Sequence, residues 1–319
     1  MRIRALLTVL TAGLPYSLFA QSYPAKPIRL LVPYSPGGAV DIVARITAQL
    51  LAEELNQPVV VDHRAGGGGN IAVEIVAKST PDGYTLLMGV NGTNAINPSL
   101  YPKLAVDPAR DLAPVSMVAS SPMILIAHPS LPSNSVTELV ALAKARPGTI
   151  NFASSGSGST AHLSSELFKS MTGVNIVHIP YKGSTPALTD LVAGQVQFMF
   201  TGVSSTLPFV RSGKLKALAV TSDKRLPLLP QLPTVNEEIP GYEVTTWYGV
   251  FAPAGAPRPI IDKLNRAIAK IIAAPEAQRR LAAIAADPVT LSPEQFAAAV
   301  RKEVAKWARV IKESGARPE

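Results

Sequence analysis

Between residues 28 and 90 short apolar runs alternate with amphipathic stretches, and this alternation narrows the possible folds more than any other feature of the chain. Ile28-Arg29-Leu30-Leu31-Val32 predicts a strand, and it leads to a helix from about Asp41 with Val43, Ile46 and Leu50 at helical spacing. Val59-Val60-Val61 predicts a second strand, followed by a helix over about 70–78, a turn at Pro81-Asp82-Gly83 and a strand over Tyr84-Thr85-Leu86-Leu87-Met88. Continuous apolar strands between amphipathic helices must be covered on both faces, which implies a parallel sheet flanked by helices. The pattern resumes at Met123-Ile124-Leu125-Ile126, with a helix through Val136–Leu142 that Ser135 can cap. Strands follow near 150–153, 175–179, 196–200 and 216–221, with helices over about 160–171, 184–193 and 204–212. A chain of 319 residues fits two such units at ~100–200 residues each.

Pro227 to Pro240 holds prolines 227, 230, 233 and 240 without periodicity, and reads as a linker over the surface. Trp247-Tyr248-Gly249-Val250-Phe251 then predicts another strand, with helices over about 257–273 and 275–285. The last helix opens with the capping box Ser292-Pro293-Glu294-Gln295 and carries Phe296, Val300, Val304 and Trp307 on one face, which makes Trp307 a core residue. No fixed-period repeat is present. A chain that builds one α/β unit, then a second, then adds a strand and helices can return to the first unit. Two crossings make a hinge, and the cleft beside a hinge is where ligands bind.

Two strand–loop–helix junctions stand out. Val32 runs into Pro33-Tyr34-Ser35-Pro36-Gly37-Gly38, and Ile150-Asn151-Phe152-Ala153 runs into Ser154-Ser155-Gly156-Ser157-Gly158-Ser159-Thr160. Such junctions aim free N–H groups and the positive end of a helix dipole at whatever lies above them. One in each half suggests a cleft that grips an anion from both sides.

The N-terminus carries a short basic region (Arg2, Arg4), an uncharged apolar run from Ala5 to Phe19 and a loose cleavage pattern at Leu18-Phe19-Ala20, which predicts a secretory signal peptide over 1–20. With no cysteine there is no disulfide, no cysteine metal site and no lipidated cysteine. The formal charge of +8 falls to +6 once Arg2 and Arg4 are removed. The basic residues are dispersed, many on the C-terminal helices, and no basic stripe is interleaved with aromatics, so nucleic acid is not the expected partner.

Enzyme motifs fail in turn. Gly156-Ser157-Gly158-Ser159-Thr160-Ala161 matches a G-x-G-x-x-A dinucleotide fingerprint in context, but the acidic residue required ~20 positions on is missing: His178-Ile179-Pro180-Tyr181-Lys182 stands there. Gly66-Gly67-Gly68-Gly69 lacks the spacing, because Ile71 occupies the last small position. Gly213-Lys214 is followed by Leu215, so there is no phosphate-binding Walker loop. Neither G-x-S-x-G nor S-x-x-K occurs. His63, His128, His162 and His178 form no pair at i, i+4 and no metal-spaced cluster. The alternative to a cradle is a secreted α/β enzyme, hydrolase-like, with a nucleophile among Ser154–Thr160 and His162 or His178 as base. His128, before Pro129, reads as a strand-end residue. His162, one turn into its helix, either faces the cleft or serves as a helix-start hydrogen-bond partner.

The chain resembles the Bug family, the TctC-like extracytoplasmic receptors of tripartite tricarboxylate transporters, over essentially all of residues 22–319. The resemblance is carried by Tyr23 to Ile28, Pro33 to Gly38 with Asp41, Arg64 to Asn70, Pro81 to Leu87, Asn97 to Tyr101, Ser154 to His162 and Pro180-Tyr181-Lys182-Gly183. Leu218 to Thr221, Pro233-Thr234-Val235 and Phe251 to Gly255 complete it. It implies a two-domain periplasmic binding protein of the Venus-flytrap, type II-like class. Each domain would be a mostly parallel sheet flanked by helices, with the ligand in the interdomain cleft. Domain 1 would comprise 22–122 plus 246–319, and domain 2 would comprise 123–245 including the Pro-rich crossover 227–240. The implied ligand is a small carboxylate passed to membrane permease subunits, by a protein that is no enzyme, needs no cofactor or metal and acts as a monomer. A carboxylate-sensing receptor is the remaining alternative. Carried over residue by residue, the ligand contacts are Tyr34, Ser35, Gly37, Gly38 and Ala39 in the first loop, and Ser155, Gly156, Ser157, Ser159, Thr160 and His162 in the second. Asn91, Thr93 and Tyr181 are further cleft contacts. After Phe198-Met199-Phe200 many family members carry an aspartate; Thr201 stands here, which argues against an amino acid ligand.

Overall fold

The structure, a computed structural model, describes residues 23–318; the signal-peptide expectation lies outside the described residues. The first α/β unit is β1 (Ile28–Val32), α1 (Ala39–Leu55), β2 (Val59–His63), α2 (Asn70–Ala77) and β3 (Thr85–Val90). The three strands pair in parallel in the order β2-β1-β3. Successive residues of a strand face opposite sides. Leu30 and Val32 therefore pack with Val43, Leu51, Leu264 and Ile268 on one face, while Leu31 packs with Val73, Val76 and Phe296 on the other. This is the double coverage that uninterrupted apolar strands require.

After β3 come a π-helical turn over Gly92–Ile96, α3 (Asn97–Leu100) and α4 (Pro108–Asp111). They lead into β4, which runs from Leu112 to Ala127. The sequence expectation covered only Met123–Ile126, near its end. Over Leu112–Pro122 it pairs antiparallel with β9 (Thr245–Pro253), and over Met123–Ala127 with β7 (Phe198–Gly202). One strand thus serves two sheets and changes partner between Pro122 and Met123.

The second unit continues with α5 (Val136–Ala145), β5 (Asn151–Ser154), α6 (Thr160–Thr172), β6 (Val177–Pro180) and α7 (Ser184–Val192). β7, α8 (Val203–Arg211) and β8 (Lys216–Val220) complete it. β5 pairs in parallel with β6 and β7, while β8 pairs antiparallel with β4. Both sheets are therefore mixed: a parallel core of three strands in each is edged by the antiparallel crossing strands.

The expected surface linker at 227–240 is instead partly core. Leu229 and Leu232 are buried beneath it, Val220 bridges Thr234, and Thr234 caps a four-residue helix, α9 (Val235–Glu238), in a full capping box. Prolines spaced without periodicity concealed these anchors. β9 then returns to the first sheet between β3 and β4. α10 (Arg258–Ala273), α11 (Pro275–Ala282), the two-residue strand β10 (Asp287–Pro288) and α12 (Pro293–Ser314) follow. Trp307 is fully buried, as its helical face predicts. Among the described residues no helix is long and apolar enough to cross a membrane.

Candidate functional site

β1 ends at Val32 and the loop to α1 turns at Gly37, whose φ of +86° is costly for any residue with a Cβ. The Asp41 side chain reaches back and accepts the Gly37 N–H at 2.8 Å, while Arg45 Nε and His63 Nε2 each lie 2.8 Å from its other oxygen. Burial pushes the Asp41 carboxyl up, but the Gly37 N–H, Arg45 and His63 together hold it below the usual carboxylate range. The loop is therefore fastened from behind. Gly38 is the N-cap of α1 and contributes no side-chain cap, so the first N–H groups of that helix are left for another acceptor.

The second loop is fastened in the same manner by different groups. Gly156 N–H donates to Ser154 Oγ at 3.1 Å and Gly158 N–H to His162 Nδ1 at 3.2 Å, while Ser159 Oγ accepts the His162 N–H and caps α6. Gly156 and Gly158 take φ of +125° and +82°. His162 stacks on His178 with ring centroids 4.0 Å apart, and His178 stacks on Phe152 at 4.9 Å. Burial drives the His162 pKa down to about 4, and burial together with neighbouring His162 and Lys169 lowers His178. Both imidazoles are neutral at pH 7, which leaves His162 Nδ1 able to accept the Gly158 N–H.

The two loops face one another across a cleft. Thr185 Oγ1 donates to Pro36 O at 2.5 Å, and Tyr101 OH to Ser157 O at 2.9 Å. A cavity lies between them. Four helices begin at its wall. Gly38, Ala39 and Val40 open α1, Thr160 and Ala161 open α6, Ser184 opens α7, and Gly202 is the N-cap of α8. Glycine caps three of the four without a side-chain bond. None of the residues lining the cavity is ionised; the polar ones are Tyr34, Ser35, Ser155, Thr160, Ser184, Thr201, Thr246 and Tyr248. The buried hydroxyls of Tyr34, Ser35 and Thr201 have no hydrogen-bond partner. A buried hydroxyl without a partner costs free energy, so a ligand with acceptor oxygens fits this wall.

The structure brings together Tyr34, Ser35, Gly38, Ala39, Ser155, Thr160 and Thr201 of the expected contacts as cavity lining. Gly37, Gly156, Ser157, Ser159 and His162 are not among its lining residues; they belong to the loops and the start of α6 beside it. Three expected contacts are engaged elsewhere. Asn91 accepts the Trp247 N–H at 2.8 Å and donates to Glu303 Oε2 at 2.6 Å, tying β3 to β9 and α12. Thr93 Oγ1 is held within the π turn by Val90 and Asn94. Tyr181 OH donates to Asp190 Oδ2 at 2.7 Å. These side chains sit at strand ends, where sequence position alone does not reveal which way they turn.

Sequence reasoning missed Ser184, Gly202, Thr246 and Tyr248. A signal existed for the first two: Gly183-Ser184 and Gly202-Val203 are further strand–glycine–helix junctions. Thr246 and Tyr248 lie two apart on β9 and so share its cleft face. Ser154 Oγ is 2.6 Å from His178 Nε2, a distance suited to nucleophile and base. Ser154 is fully buried and absent from the cavity wall, however, and its hydroxyl already accepts the Gly156 N–H.

The family model for the tripartite tricarboxylate transporter family receptor matches residues 43–316. Protein BugT of Bordetella pertussis is 41% identical over 311 residues, covering 97% of this chain and 95% of its own length. The R. palustris Rpa4515 protein, solved with adipate, superposes with a TM-score of 0.90 at 40% identity, over 93% of this chain and all of that one. MatC (Rpa3494) from Rhodopseudomonas palustris, solved with bound malate, gives a TM-score of 0.87 at 33% identity, over 91% of this chain and all of its own. The α/β fold is thus matched along nearly the whole length, and this chain belongs to the tripartite tricarboxylate transporter receptor family.

Proposed function

We propose that this protein is a periplasmic receptor that captures a small organic acid between its lobes and delivers it to the membrane permease subunits of a tripartite tricarboxylate-type transporter. The observation that carries this reading is the convergence of four helix N-termini on one cavity that has no ionised wall. The solved relatives that hold adipate and malate support a carboxylate as the ligand.

In this reading domain 1 is 22–122 plus 246–319 and domain 2 is 123–245. The change of partner in β4 at Pro122/Met123 and the return of β9 from Thr245 support that division and make the paired strands the hinge. Tyr34, Ser35, Gly38 and Ala39 of one lobe and Ser155, Thr160 and Thr201 of the other contact the ligand. Gly37, Gly156, Ser157, Ser159 and His162 hold the loops in shape.

The magnitudes fit a shared grip. A helix N-terminus contributes ~0.3–1 kcal/mol to an anion, reaching ~2 when partly buried. Micromolar affinity needs ~8 kcal/mol. The dipoles alone fall short, and charge-assisted hydrogen bonds from N–H and hydroxyl groups in a closed cleft supply the rest.

The test is a thermal-shift and calorimetric screen of the mature chain against mono-, di- and tricarboxylates, with product analysis of each mixture. The reading expects one or more acids to raise the melting temperature without being consumed. Turnover, or no shift across the panel, overturns it.

A further inference from the structure

Resting on the two-lobe receptor reading, we propose that Tyr101, seated against Gly68, is an interlobe latch that sets how long the ligand is held without touching it. Gly66 to Gly69 all take positive φ, between +56° and +120°, which glycine alone does at no steric cost. What requires glycine differs along the run. A Cβ on Gly67 would meet only the Ile71 side chain, at 3.8 Å. A Cβ on Gly68 would collide with both Ser157 O and Tyr101 OH. Those are the two atoms of the 2.9 Å hydrogen bond that joins the lobes here. Gly68 therefore leaves the room in which that bond forms.

The first lobe presents this seam as a built surface. Asn97, Leu100 and Tyr101 stand at i, i+3 and i+4 and share one helical face. A Cβ on Gly158 would meet Leu100 Cδ2 and Tyr101 Cε2 at 3.1 Å and would strike Asn97 Oδ1, so all three face the second lobe's loop. Asn97 Nδ2 donates to Gly68 O at 3.0 Å and to Asn70 Oδ1 at 2.7 Å, which pins the glycine turn in place. Burial pushes the Tyr101 phenol up from its ordinary value, so it stays a donor throughout the physiological range. Asn97 Oδ1 is buried beside Gly158 without a partner, a cost the seam bears while the lobes meet. The latch is thus partly offset, and the ligand's own contacts decide closure. None of Gly68, Asn97, Leu100, Tyr101 and Ser157 lines the cavity. The latch acts on affinity only through the equilibrium between separated and apposed lobes.

The experiment measures binding kinetics by stopped flow, with adipate, malate or a tighter-binding acid from the screen as probe. Tyr101→Phe removes the hydroxyl and keeps the ring. It is expected to raise the dissociation rate ~10-fold, to change the association rate less than ~2-fold, and to leave the melting temperature of the ligand-free chain unchanged. Gly67→Ala and Gly68→Ala form a matched pair. Both force a Cβ onto a left-handed residue, at φ +56° and +64°, and only the second collides with the interlobe bond. Gly68→Ala is therefore expected to bind at least ~10-fold more weakly than Gly67→Ala. An unchanged dissociation rate in Tyr101→Phe, even with a lower melting temperature, overturns the latch and leaves the receptor reading intact. Equal affinities in the two alanine variants do the same. Failure of every acid in the screen removes both.

Discussion

The stacked imidazoles behind the second loop make the protein acid-sensitive in a definite pH window. His162 is 2% exposed, and burial holds its pKa at about 4 against an ordinary 6.5. Its folded pKa is depressed, so below pH 6.5 the unfolded chain binds the proton more readily and stability falls as pH falls. The contribution is complete above pH 6.5 and is lost progressively toward pH 4. At ~1.4 kcal/mol per unit, the change from pH 7 to pH 5 removes about 2 kcal/mol through His162. His178, lowered in the same direction by burial, His162 and Lys169, adds a comparable amount, for a loss of up to ~4 kcal/mol. Asp41 and Asp62 have carboxyls held below the usual range, so their contribution is lost only below about pH 5 and does not enter this window. Urea unfolding at pH 7 and pH 5 measures the effect, with the slope checked for constancy. The double variant His162→Gln/His178→Gln is expected to be weaker at pH 7 but to lose most of the pH dependence. Equal unfolding free energies at the two pH values in the unaltered protein, or a loss that persists in the double variant, would refute the reasoning.

Three further outcomes follow from the loops and the displaced contacts. Gly37→Val places a Cβ at φ +86°, 3.0 Å from Thr185 Oγ1, at the contact that closes the mouth; ligand affinity is expected to fall at least ~10-fold for ~1–2 kcal/mol of strain, and unchanged affinity in calorimetry would refute the cradle. Gly158→Ala drives a Cβ into Asn97 Oδ1 at φ +82° and is expected to cost ~2–4 kcal/mol in urea unfolding; a neutral result would show that the second loop is not seated as described. Tyr181→Phe removes the bond to Asp190 and is expected to cost ~0.5–1.5 kcal/mol with affinity unchanged; a tenfold fall in affinity would return Tyr181 to the ligand site.

The periodic parts of the chain were legible because their residues report their own surroundings. Val43, Ile46 and Leu50 recur at helical spacing and are all buried, and the strand at Ile28–Val32 has the predicted bounds. The stretch Leu112–Pro122 of β4 escaped because it contains two prolines and three serines, and its strand character comes from pairing with β9, far away in sequence. The glycine loops were legible for a related reason. A positive φ at Gly37, Gly156 and Gly158 is a local demand, met by a local residue choice.

What the sequence determined alone, then, is the set of parts: apolar strands that need two covering layers, helices with their caps, and two loops that present N–H groups. Tertiary structure decided which parts share a cavity. The starts of α7 and α8 joined those of α1 and α6 only because β4 and β9 hold the two sheets edge to edge. Asn91 and Thr93 turned to partners in the interior, Tyr181 turned to Asp190, and His162 turned to His178. The direction of a side chain at a strand end depends on what packs against it from distant sequence, and local pattern carries no record of that.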